Sequence, residues 1–236
     1  MTGLIYKEWK QNRWYILSMI LCGTAPLLTL FFLKGEITDT DSIDLFRTVG
    51  LVIGFLAAGA LQIMVLRGDD RKLFSYWITS TADGYRGFLR VKYEMIFAMI
   101  VLFFTSLRLF DDSYCAIAAD MGLTGINPVS GIAMPLIFVQ ILLRAVDIPF
   151  SYRFGSKKGS IIKLIYIVAV TIIITVLLLL DPSICEEIVN LFKNPFFGNT
   201  GSLVITAALV AILALYYFSY RVTCKLYLKG VEQYDK

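Results

Sequence analysis

The 236-residue sequence contains no histidine. That removes the commonest general base and the commonest metal-ligating side chain together, and with them much of enzyme and metal chemistry. Cysteine is nearly as uninformative: Cys22, Cys115, Cys185 and Cys224 are too far apart for a zinc or thioredoxin-like motif. No G-x-x-x-x-G-K-[ST] phosphate loop occurs, since the Lys157-Lys158 run in F-G-S-K-K-G-S lacks both the spacing and a preceding strand. An H-E-x-x-H pair, a G-x-S-x-G elbow and two aspartates placed to share a proton are also missing. The chain therefore carries no recognisable catalytic, ATP-binding or metal-binding constellation, and catalytic, cofactor and metal residues are all expected to be none. Charge is scarce too, at 17% of residues against 58% hydrophobic.

What is present is hydrocarbon in long runs, with a mean hydropathy of +0.72. Such a composition belongs to an integral membrane protein, and continuous apolar runs, rather than short alternating segments, select helices over a barrel. Charge-free intervals predict six spans in one transmembrane domain: Arg13 to Lys34, Arg47 to Arg67, Glu94 to Arg108, Asp120 to Arg144, Lys163 to Asp181 and Lys193 to Arg221. The third is short and has to borrow residues beyond its charged ends, with Arg108 snorkelling outward. Ahead of the first span, residues 1–13 form an amphipathic segment. Ile5, Tyr6 and Trp9 fall on one side of a helix there and Lys7, Lys10 and Gln11 on the other, which suits either a short interfacial helix or a basic lead-in to the span.

Loop charge sets the orientation. Cations concentrate in the N-terminus, in 67–93, in the fourth-to-fifth connection (Arg153, Lys157, Lys158, Lys163) and in the tail (Arg221, Lys225, Lys229, Lys236). The alternate loops are acidic, with Glu36, Asp39, Asp41 and Asp44, then Asp111, Asp112 and Asp120, then Asp181, Glu186 and Glu187. Both termini are therefore expected in the cytoplasm of a multi-pass protein of the cell membrane. Cys115 and Cys185 would both face outside, where a disulfide can form.

Within the spans, Gly50, Gly54 and Ala58 repeat at four-residue spacing, as do Ala207 and Ala211. These are candidate helix-packing positions, although small residues are common in membrane helices generally. Arg144 and Asp147 sit one turn apart near the cytoplasmic end of the fourth span. They read either as part of a polar pathway or latch, or as a local pair that neutralises itself.

The loop 67–93, R-G-D-D-R-K-L-F-S-Y-W-I-T-S-T-A-D-G-Y-R-G-F-L-R-V-K-Y, has an internal plan. Phe74, Trp77 and Ile78 have helical spacing, Ser80 and Thr81 offer N-cap oxygens, and Tyr85, Phe88 and Leu89 repeat the spacing with Arg86 and Arg90 on another face. The pattern predicts helix, capped turn, helix, with Gly84 and Gly87 weakening the second helix by about 1 kcal/mol each relative to alanine.

Trp77 to Tyr93 resembles the loop between the second and third spans of permease subunits of the type-2 ABC exporter family. Ser80, Thr81, Gly84, Gly87, Lys92 and Tyr93 match an S-T-P-x-G-x-x-G pattern running on to Lys-Tyr, while Ala82 stands where the family has proline. Ile148 to Gly159, I-P-F-S-Y-R-F-G-S-K-K-G, is similar to the turn after the family's fourth span. The resemblance implies a cytoplasmic coupling helix in this loop, with Trp77, Ser80, Thr81, Gly84, Tyr85, Arg86, Gly87, Phe88 and Arg90 receiving ABC-type ATPase subunits. It also implies a second permease chain, identical or paralogous, with ATP and Mg held on the separate ATPase, and no nucleic acid. The residues by themselves are equally those of an interfacial loop with aromatic and basic side chains, and a membrane anchor or sensor that holds a soluble partner stands as the alternative function.

Overall fold

The computed structural model describes residues 2–27, 40–67, 78, 84–120, 136–155 and 199–232. Side chains are described throughout these segments except at residue 2 and residues 40–46, 67, 199–205 and 228–232. Every described element is a helix: α1 (Thr2–Gly23), α2 (Thr40–Arg67), α3 (Gly84–Asp120), α4 (136–155) and α5 (Asn199–Glu232). Among the described residues, three stretches are long and apolar enough to cross a membrane: Arg47–Leu66 in α2, all of α3, and Thr206–Tyr227 in α5. The expected fifth span, Lys163 to Asp181, lies outside the described residues, as do Trp77, Ser80, Thr81 and Cys185.

The surface supports the same conclusion. Val49, Val52, Ile53 and Leu56 on α2 and Val210, Leu215, Tyr217 and Phe218 on α5 are exposed. Apolar faces of this extent would drive aggregation in water, whereas in a bilayer they are the lipid-facing surface. The hydroxyls obey the same constraint. Ser18, Ser106, Ser113 and Thr223 each donate to a backbone carbonyl three or four residues earlier, so no O–H of that set is left unbonded in hydrocarbon. The protein is an all-α membrane protein.

The chain separates into two compact units, residues 1–140 and 141–236. In the first, α3 is the central element. Its buried positions advance by steps of four and three through Leu89, Tyr93, Ile96, Ile100, Phe103 and Leu107, then continue through Asp111, Tyr114 and Ala118. This single stripe faces α1 and α2. α1 and α3 run parallel, because Glu8 pairs with Lys92 at one end while Gly23 lies against Ser106 and Leu107 toward the other. α2 runs antiparallel to both. Its Val65 carbonyl meets Lys92, and its Arg47 meets Asp111.

Two details sharpen the expectations above. First, α1 continues unbroken from the amphipathic segment into the apolar run, and its buried stripe passes through Glu8, Asn12, Met19 and Gly23. Ile5, Tyr6 and Trp9 are outward, at 49%, 65% and 59% exposure. Second, α3 runs past both charged limits of the expected third span and is 37 residues long. Arg90 reaches Glu94 at 2.8 Å and Arg108 reaches Asp112 at 3.3 Å, each four residues on, so these charges are paired along the helix surface and do not terminate it. At 1.5 Å per residue α3 is about 55 Å long, against about 30 Å of hydrocarbon.

In the second unit α4 and α5 are parallel. Ser219 of α5 donates to the Ala145 carbonyl of α4, and Tyr152 packs edge-on against Tyr227 with ring centres 5.6 Å apart.

Candidate functional site

Among the described residues, a dense polar cluster gathers where α1, α2 and α3 meet at the start of α3. Gly84 opens that helix with φ of 58°, a left-handed conformation that costs glycine little and other residues considerably more. A side chain there would have room, with nothing within 4 Å, so the backbone alone requires glycine. Tyr85 is half-buried and Arg86 exposed, with Arg86 Nε donating to the Tyr85 hydroxyl at 3.3 Å. Gly87 and Phe88 turn inward and are buried. Arg90 is exposed and held by Glu94.

One turn further, the inward face becomes ionic. Lys92 Nζ lies 2.6 Å from Glu8 Oε2 of α1, and both side chains are fully buried. Lys7 Nζ holds the other carboxylate oxygen at 2.9 Å, and Asn12 donates to Oε2 at 3.1 Å and to the Glu8 carbonyl at 3.0 Å. Lys92 also donates to the Val65 carbonyl of α2 at 3.3 Å. Phe88 lies beneath both ammonium groups, 5.6 Å from Lys7 and 5.7 Å from Lys92. Two cations, one carboxylate, an amide and an aromatic face thus tie α1, α2 and α3 into one junction. Gln62, one turn along α2 from Val65, is fully buried with neither amide atom hydrogen-bonded to a described residue.

A second ionic level occupies the other end of the same helices. Arg47 and Asp111, 2% and 3% exposed, form a salt bridge with Nε 3.1 Å from Oδ1 as well as the Nη2 contact. The Arg47 guanidinium also lies 5.0 Å from the Tyr114 ring centre and 3.7 Å from the free thiol of Cys115. From Lys92 to Asp111 α3 rises about 28 Å. The two levels are therefore separated by roughly the hydrocarbon thickness.

Between them α1 and α2 come into close backbone contact at Gly54. A Cβ there would come within 2.6 Å of the Cys22 carbonyl oxygen and 3.2 Å of Ala25. Gly50 and Ala58 are buried on the same helix, whereas Ala207 and Ala211 of α5 are exposed. Arg144 and Asp147, in the second unit, are each 4% exposed and paired at 2.9 Å on the same helix.

Loop-charge counting assigned Lys7 and Lys92 to the cytoplasmic cations but passed over the Glu8 link. The available signal was phase: Glu8, Asn12, Met19 and Gly23 make one stripe on α1, and two of the four are polar. No family model, curated protein or solved structure matches this chain. Among the described residues, no group of three or more Cys, Asp or Glu side chains could hold a metal ion. What the arrangement can do is transmit force, since a load on Tyr85 and Arg86 meets a helix locked within two turns to both neighbours.

Proposed function

We propose that this chain is the membrane-spanning permease subunit of an ATP-driven exporter of the type-2 ABC family, located in the cell membrane with six spans and both termini in the cytoplasm. A separate ATPase subunit carries ATP and Mg, a second permease chain completes the pathway, and the cargo is amphipathic: a peptide, a lipid or a hydrophobic drug. The observation that carries this reading is the start of α3. Tyr85, half-buried, and Arg86, exposed, stand at its tip, while Phe88 and Lys92, on the next two turns, are buried against α1 and α2. A docking surface for a motor needs that combination of partner-selecting side chains and a stiff mount. The parallel course of α4 and α5 lends support, since two parallel crossings need an opposite crossing between them.

Tyr85→Ala combined with Arg86→Glu is expected to reduce ATPase co-purification and to uncouple ATP hydrolysis from transport, with membrane expression unchanged. Full co-purification with normal transport would remove the start of α3 from the coupling role. A partner that is retained but shows no cargo-stimulated ATP turnover would favour the anchor or sensor, which uses the same tip without moving cargo.

A further inference from the structure

The second unit carries a groove of about 590 Å³ between α4 and α5. Its wall is almost wholly apolar, with Phe150 from α4 and Phe218 and Val222 from α5, and along α4 it extends from Leu142 to Phe154. That length is about 18 Å, close to half the hydrocarbon thickness. Near its end, next to Phe154, lies the one cationic lining residue, Arg153. Arg153 Nη1 is buried from solvent and has no hydrogen-bond partner among the described residues.

These features have one common solution. A guanidinium N–H removed from water is costly unless an acceptor meets it, and an anionic oxygen does so best. An apolar channel leading away from that cation for the depth of one leaflet fits an acyl chain. The comparable groove of the first unit, about 380 Å³ between α1 and α3, lacks the unsatisfied charge: its lining Glu94 is already held by Arg90. We propose that the α4–α5 groove binds an anionic phospholipid, with the phosphate on Arg153 and one acyl chain lying along Phe150, Phe218 and Val222. In the orientation given under the proposed function this is a cytoplasmic-leaflet lipid, where anionic headgroups and basic inter-helix pockets coincide. The leaflet rests on that reading; the site rests on the groove and Arg153.

The test is native mass spectrometry of the full chain in detergent, titrated with phosphatidylglycerol or with phosphatidylcholine of identical acyl chains. One phosphatidylglycerol per chain should be retained about tenfold more tightly than phosphatidylcholine, the scale of one charge-assisted contact. Arg153→Gln should bring the two within about twofold, Arg153→Lys should keep most of the preference, and Val146→Trp, which fills the groove wall, should weaken both lipids. Equal retention of the two lipids by the wild-type chain overturns the proposal without reliance on any variant. Three other results also overturn it: an undiminished preference in Arg153→Gln, full displacement of the lipid by chain-free glycerol phosphate, or a lipid-insensitive dimer that Val146→Trp abolishes. Retention is read on this chain alone, so it stands or falls independently of an ATPase partner.

Discussion

The two units handle buried charge in opposite ways. In the first, Glu8–Lys92 and Arg47–Asp111 each join different helices, so every buried ion is satisfied only when the helices hold one register. In the second, Arg144 and Asp147 are neighbours on α4 and pair along that one helix. Contacts between α4 and α5 include a hydroxyl on a carbonyl, and Tyr152 against Tyr227 adds an aromatic contact. An interhelical pair fixes register as well as neutralising charge, whereas a local pair only neutralises. The first unit is thus built as a fixed block, and α4–α5 as a pair whose mutual position depends on softer contacts.

Breaking the junction should have a large effect. Lys92→Met leaves Glu8 buried with Lys7 as its remaining cation and is expected to destabilise the protein by about 3–5 kcal/mol, read as a lowered midpoint of unfolding in detergent. The double variant Glu8→Leu with Lys92→Met should regain a large part of that loss, because no uncompensated ion remains. If the double variant is no better than the single one, the pair is not the fastening that distinguishes the first unit.

The corresponding single variant on α4 should cost about as much, and the contrast lies in the double variant. Asp147→Leu strands the buried Arg144 guanidinium at a cost of about 3–5 kcal/mol, and Arg144→Leu with Asp147→Leu should return closer to wild type than the double variant of the junction does. Arg144→Leu also separates the two roles of that pair: transport lost with insertion intact would assign it to the pathway or latch, and unchanged transport would leave it a local neutralising pair. The smallest effect belongs to the surface of α3. Arg90→Ala removes a pair exposed at 59% and 54% and should change stability by about 0.5 kcal/mol or less. A loss as large as that of Lys92→Met would erase the contrast between exposed and interhelical pairs.

The helical class and the membrane setting were legible because each depends on residues adjacent in the chain, and composition and 3.6-residue phase are local properties. Gly84 reads from the sequence as a weak point within a helix, whereas its left-handed backbone opens one. The ionic junction was not legible for the complementary reason. Glu8 and Lys92 are brought together only by packing, and Glu8 read alone is one acid among basic neighbours. The short third span has a different cause. Glu94 and Arg108 interrupt the apolar run, yet each has its counter-ion one turn further out, at Arg90 and Asp112. Charge marks the end of an apolar interval; it does not mark the end of a helix whose charges are paired on its own surface.

The separation of the two ionic levels along α3 makes membrane thickness a variable to which this protein responds. The charged ends of the block are bonded across helices, so it cannot slide one helix past another to shorten or lengthen its apolar girth. Lipid has to stretch, thin or tilt around it instead, at fractions of a kcal/mol for each ångström of mismatch. Acyl-chain length then acts on the three-helix block as a graded mechanical load.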